Sequence, residues 1–318
     1  MRIALAYDGG AAASPPDAAG VMEAVDGVAA ALTRLGHAAV PVPINRPLGW
    51  SLGRLLEAFR DVDAVLNLVE GLDGDGTREA AVAGLLEGLA LPMTGASSET
   101  LSLCRRKDRV NAVLAAHGVA VPRWAVVQVG SMPAWDAYPA IVKPLGQDGS
   151  LGIHEDSVVQ DPWQLQAVLA RPELARTGNR ALVQTFVPGR ELNVGIVGQA
   201  VLPVSEIVFE AGRRVVSYAA KWSPDSVDWG ATTAVCPADI DPGLRARAVS
   251  LARAAWDAVD GVGYGRVDLR TGPDGELYVL EVNPNPDLSP TAGLARMADA
   301  AGWGFDGLVA RILEEALA

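Results

Sequence analysis

Two carboxylates and an asparagine stand where a buried strand is expected. The stretch from Tyr278 to Pro290 reads YVLEVNPNPDLSP, an apolar run broken by Glu281 and then by Asn283. Upstream lies GRVDLR, Gly265 to Arg270, and TGPDGE separates the two segments. β-rich segments flanking a Gly/Pro/Asp turn predict a hairpin. Pairing outward from Asp274-Gly275 sets Arg266 opposite Asn283, Val267 opposite Val282, Asp268 opposite Glu281 and Leu269 opposite Leu280. Side chains alternate faces along a strand. Arg266, Asp268, Glu281 and Asn283 therefore share one face, and Val267, Leu269, Leu280 and Val282 the other. Opposed carboxylates repel, and a bound cation reverses that sign. Two carboxylates and an amide oxygen are hard ligands of the kind Mg²⁺ takes, alongside water and phosphate oxygens. The other reading is an exposed face with ordinary charges, and the hairpin alone leaves both open.

A second feature suits the phosphates that Mg²⁺ would accompany. Lys143-Pro144 is followed by LGQDGSLG. Backbone N–H groups of a glycine-rich loop approach an anion without side-chain obstruction, and Lys143 adds a point charge. The pattern is neither GxxxxGK[ST] nor GxGxxG, and by itself it reads equally as a turn.

These residues need elements to hold them. The first third alternates strand and helix signals: Arg2 to Tyr7, a helix from Ala18 to Leu35 ending at Gly36, His37 to Ile44, Asp63 to Val69, and a helix from Thr77 to Leu89. That βαβ rhythm predicts a small parallel sheet. Further on, helices are expected at Lys107 to Ala116, Asp161 to Leu169, Pro242 to Val259 and Gly304 to Leu317. Strands are expected at Arg123 to Val129, Ala140 to Val142, and in ALVQTFV, ELNVGIVG and LPVSEIVF. Three units follow, 1–96, 97–180 and 181–318, with no linker between them.

With 318 residues and half of them hydrophobic, the chain can bury a full core. A net charge of −12 argues against a nucleic-acid groove or an anionic membrane as partner. No apolar run has spanning length, the first residues lack the apolar run of a signal peptide, and Cys104 and Cys236 form no disulfide framework. A cytoplasmic location is expected. His37 and His117 read as helix-end caps, Cys104 as core, Arg213-Arg214 as a solvated turn, and His154 as a possible phosphate or substrate contact.

Taken together, NLVEGLDGDG, LLEGLALPMTGASSETLSLCRRK, IVKPLGQDGSLGI, VQTFVPGRELNVGIVG, YAAKW and GRVDLRTGPDGELYVLEVNPNP resemble the ATP-grasp superfamily, in its D-alanine–D-alanine ligase branch. The likeness runs from about Asn67 to the C-terminus. It implies an α/β N-terminal domain followed by two ATP-grasp domains, and ATP and Mg²⁺ as cofactors. Lys107, Lys143, Gly149, Ser150 and the lid lysine Lys221 would then meet the phosphates. Gln184, Thr185, Phe186 and Val187 would hold the adenine edge, and Glu191 the ribose. Asp268, Glu281 and Asn283 would bind the metal, and Arg266, Lys221 and Lys143 would act on the transferred phosphoryl group. The activity implied is joining a carboxylate, activated as an acyl phosphate, to an amine. Small-molecule substrates and a homodimer are the implied partners.

The sequence departs from that branch where its amino acids bind. GGAAASPPDA after Asp8 lacks the family's glutamate, and Trp222 stands at the lid tyrosine. Asp287 follows Pro286 in place of glycine, and the substrate-binding serine is replaced within Pro290 to Gly293. A product other than D-alanyl-D-alanine is therefore expected. The rival readings are an intramolecular ATP-grasp cyclase and a catalytically silent nucleotide-binding module.

Overall fold

The computed structural model describes residues 1–13, 18–46, 51–131, 133–146, 152–175, 179–210, 212–217, 226 and 230–318. The first sheet is parallel in the order β2-β1-β3, with β1 Arg2–Asp8, β2 Ala38–Ile44 and β3 Ala64–Asn67. Ile3 to Ala6 are all buried, as a strand covered on both faces requires. Helix α1, Ala18–Arg34, lies against it. Asp8, at the end of β1, is buried. Its carboxylate accepts the backbone N–H groups of Gly10, Ala11, Asp73 and Gly74, fixing the loops at that strand end.

After helices α2 (Leu52–Ala58) and α3 (Glu79–Glu87), the chain enters α4 (Ser98–Cys104) and α5 (Lys107–Ala116). The second sheet is antiparallel, in the order β4-β7-β5-β6: Trp124–Gln128, Arg180–Thr185, Ala140–Pro144 and Val158–Val159. Helices α6 (Pro162–Leu169) and α7 (Pro172–Ala175) lie between β6 and β7, and Asp161 caps α6 with Pro162 in its first turn. β7 falls across the 180/181 position in the sequence, and Cys104, Val110 and Leu114 of α4 and α5 are buried in the core of the third sheet.

That third sheet follows the order β11-β10-β8-β12-β13, with β9 paired to β8. The strands are β8 Glu191–Val197, β9 Ala200–Val201, β10 Ser205–Phe209, β11 Thr232–Val235, β12 Tyr264–Thr271 and β13 Leu277–Asn283. One face is covered by α8, Pro242–Ala258, which buries Leu244, Ala248, Ala252, Ala255 and Trp256, a stripe at helical spacing. Helices α9 (Gly293–Ala300) and α10 (Gly304–Leu317) share a core with α1 and the first sheet. No helix among the described residues is long and apolar enough to cross a membrane.

Candidate active site

β12 and β13 form the expected hairpin, with Arg266 opposite Asn283, Val267 opposite Val282 and Asp268 opposite Glu281. Beyond that pair the register shifts, and Leu269 pairs with Val279 rather than Leu280. Leu280 is thus the extra residue of a β-bulge. Instead of joining the core it lines the cavity above the hairpin, beside Glu281.

One cavity gathers Lys107, Lys143, Gln184, Thr185, Phe186, Val187, Glu191, Arg266, Asp268 and Glu281, residues that lie far apart in the sequence. Asn283 stands two pairs along from Glu281, its Oδ1 accepting the N–H of Asn285 at 3.0 Å. Gly149, Ser150, Lys221 and Trp222 lie outside the described residues. His154 is at a 3₁₀ turn, where its N–H donates to Ser157 Oγ.

The charges are arranged in pairs. The Arg266 guanidinium forks onto Asp268 at 2.7 and 2.9 Å, and Asn193 Nδ2 donates to the same carboxylate at 2.8 Å. Burial works against the charged Arg266, but Asp268 outweighs it and holds the guanidinium firmly protonated. Lys107 Nζ lies 3.7 Å from Glu281, and its backbone N–H donates to the Leu145 carbonyl beyond β5. Lys143 Nζ donates to Gln184 Oε1 at 3.0 Å. Burial pulls the Lys143 ammonium down to about 8; Glu281 opposes that shift and Lys107 adds to it.

Arg270 was not among the residues singled out in the sequence, though strand alternation places it on the face of Arg266 and Asp268. It is buried, its Nε donates to Glu191 Oε2 at 3.0 Å, and its Nη2 lies 2.9 Å from the same oxygen. It also donates to the carbonyls of Val187 and Arg214, at 3.0 and 2.5 Å. Its guanidinium lies 5.1 Å from the rings of both Phe186 and Phe209. Arg214 is no solvated turn: its N–H bonds the Glu155 carboxylate and its carbonyl serves Arg270. Beyond the hairpin, Asn285 Nδ2 donates to the Val69 carbonyl (3.1 Å) and to Glu79 (2.8 Å), and its Oδ1 accepts from Tyr264 (3.0 Å).

The class of protein follows from the fold. The structure superposes on the D-alanine–D-alanine ligase of Bacillus anthracis complexed with ATP, with a TM-score of 0.77 and 23% identity over 100% of this chain and 97% of that one. It also superposes on the VanG D-Ala:D-Ser ligase of Enterococcus faecalis, with a TM-score of 0.78 and 20% identity over 99% of both chains. This is the ATP-grasp fold.

Sequence narrows the class. The family model for the D-ala D-ala ligase C-terminus matches residues 114–314. The D-alanine–D-alanine ligase of Gluconobacter oxydans is 30% identical over 100% of both chains. That of Rhizorhabdus wittichii is 32% identical over 92% of this chain and 90% of its own. The chain belongs to the D-alanine–D-alanine ligase family. It is an ADP-forming ATP-grasp carboxylate–amine ligase, and ligases of this family use ATP and Mg²⁺.

The residues present fit both groups. Among the described residues no three His, Cys, Asp or Glu side chains cluster as a metal site. Two carboxylates and an amide oxygen, to be completed by phosphate oxygens, are a donor set for Mg²⁺ rather than for a softer metal. Among the described residues, Gln184 Nε2 and Thr185 Oγ1 are buried without a hydrogen-bond partner, as groups awaiting a polar ligand are.

Proposed function

We propose that this ligase joins an activated carboxylate to an amine to give a product other than D-alanyl-D-alanine. The observation that carries the ligase chemistry is the cross-strand pair Asp268 and Glu281, opening onto a cavity with Lys107, Lys143 and Arg266. In this reading Asp268, Glu281 and Asn283 hold Mg²⁺. Gln184, Thr185, Phe186 and Val187 hold the adenine, and Glu191, braced by Arg270, holds the ribose. Lys107, Lys143 and Arg266 neutralise the phosphates, joined by Lys221, Gly149 and Ser150.

ATP supplies the phosphoryl group that turns an unreactive carboxylate into an acyl phosphate, which the amine attacks with release of phosphate. The chain's own contribution is positioning and charge. Arg266 keeps its charge because Asp268 braces it, so it can stabilise negative charge on the transferred group. Lys143, buried and only loosely protonated, gains its charge most fully when an anion arrives. The three-unit division at 97 and 181 and a homodimer belong to the same proposal; light scattering checks the latter.

The product proposal is supported by the segment that follows the hairpin. There Asp287 turns back to accept from Ser289 N and Oγ, at 2.7 and 2.9 Å, where the family has glycine. The replaced serine lies within the segment leading into α9. Incubation with pooled amino acids, ATP and Mg²⁺, followed by ADP release and product mass, tests it. A condensed product other than D-alanyl-D-alanine is expected; that dipeptide as the main product refutes the proposal. Loss of water from a single substrate identifies a cyclase instead.

A further inference from the structure

Residues 212–217 lie in no helix or strand, yet Val215 is buried at the wall of the cavity. Backbone outside a ladder needs partners of its own. Here one side chain supplies them. The Arg214 N–H donates to both carboxylate oxygens of Glu155, at 3.0 and 3.2 Å, and the Val215 N–H donates to Glu155 Oε1 at 3.2 Å. Arg214 grips back: its Nη2 donates to the Glu155 carbonyl at 3.1 Å, and its Nε lies 3.7 Å from Oε2. A carboxylate that takes successive backbone N–H groups makes charge-assisted bonds, stronger than neutral ones. On the other side the Arg214 carbonyl accepts from Arg270 of β12. The segment is thus pinned from two directions, by residues 59 and 56 positions away from Arg214 in the sequence.

Glu155 can serve as an anchor because its own place is fixed. It opens a 3₁₀ turn, Glu155–Ser157, in which the His154 N–H donates to the buried Ser157 at 3.0 Å. Val158 follows at once and pairs with Ile141 of β5. What the anchor holds is apolar. Val215 shares one buried cluster with Ile141, Val158 and Phe186, and Ile153 packs against it. Ile141, Ile153, Phe186 and Val215 line the cavity, whereas Glu155 is not among its lining residues. Four hydrocarbon side chains beside the segment Gln184 to Val187 form the apolar kind of wall on which a flat ligand packs.

We propose that Glu155 is a positioning residue for the nucleotide. Its carboxylate sets the backbone at Arg214 and Val215, and so presses the Val215 side chain onto the base. The inference rests on the reading that Gln184 to Val187 hold the adenine, and it adds a residue that acts on the base without touching it. Glu155 and Arg270 then work on one segment. Arg270 joins the Arg214 carbonyl to Glu191, and Glu155 takes the Arg214 N–H.

The test is calorimetry with Mg²⁺ and a non-hydrolysable ATP analogue on wild-type protein, Glu155→Ala, Val215→Ala and the double variant, each first shown to be folded by its melting curve. Glu155→Ala should bind the analogue at least about fivefold more weakly. In the Val215→Ala background the same change should weaken binding by less than about twofold, because the side chain that Glu155 positions is already gone. Glu155→Gln keeps the shape and one acceptor oxygen. It should fall between wild type and Glu155→Ala, and it carries the cycle if the alanine variant does not fold. Affinity within about twofold of wild type in Glu155→Ala, or an equal loss in both backgrounds, overturns the assignment. Phe186→Ala judges the nucleotide placement separately. Unchanged affinity there refutes the base-site reading itself, whereas weakened binding there beside unchanged binding in Glu155→Ala refutes only the role of Glu155.

Discussion

The two ends of the cavity are built on different terms. At one end charged side chains have fixed counterparts: Arg270 with Glu191, and Arg266 with Asp268, whose carboxylate also accepts from Asn193. Towards α9, Arg296 stands by Gly293 and, among the described residues, forms no ion pair. A prepaid network suits a ligand that is always the same, since its groups are oriented before binding and little is lost in ordering them. An end without that network suits the variable partner. In the function proposed above, the contrast would let a chain keep its family's nucleotide chemistry while taking a different amino-acid substrate.

The sharpest way to break this comparison is at the hairpin. Glu281→Gln keeps the shape of the side chain and removes its charge. Turnover, read as ADP release, should fall at least about a hundredfold, with an unchanged melting curve. Activity within a few-fold of wild type would leave the metal seat without support. Next comes Arg270→Met. It strands the Glu191 carboxylate and two backbone carbonyls, and breaking a buried pair costs about 3–5 kcal/mol. A clear drop in melting temperature and a raised KM for ATP are expected, with kcat at saturating ATP much less affected. Adding Glu191→Gln should recover part of the stability, because the orphaned charge is gone.

The smallest effect concerns pH. Lys143 sits at about 8, pulled down chiefly by burial. Below that pH its ammonium is present to meet the phosphates; as pH rises through about 8 it is lost, and KM for ATP should climb. Stability of the nucleotide-free protein runs the other way. The unfolded chain holds a proton on this lysine up to its ordinary value of 10.5, while the folded chain releases it near 8. Between those values the unfolded state binds more protons, so this group's contribution to stability rises with pH. Lys143→Arg should flatten both profiles, which titrated melts and ATP kinetics can follow.

Much of this site was legible because strand geometry is simple. Period-two alternation and a Gly/Pro/Asp turn were enough to set Asp268 against Glu281 and Arg266 against Asn283. The same alternation puts Arg270 on that face; what was missing was any sign that Glu191, on the neighbouring strand β8, and the Val187 carbonyl, from the loop before it, would meet it. The bulge escaped because one extra residue leaves no mark in an apolar run, so Leu280 was expected in the core. Helix α9 escaped for a different reason. It follows three prolines, begins at a glycine and is capped by Ala292, so it carries none of the usual start signals.

Asn285 has a consequence for mechanics. Its side chain grips Val69 and Glu79 from the first part of the chain while holding Tyr264 at the start of β12. Asn285 thus ties the end of the strand that carries Glu281 to the loop after β3 and to helix α3, so the acidic hairpin and the N-terminal layer are anchored by one amide side chain.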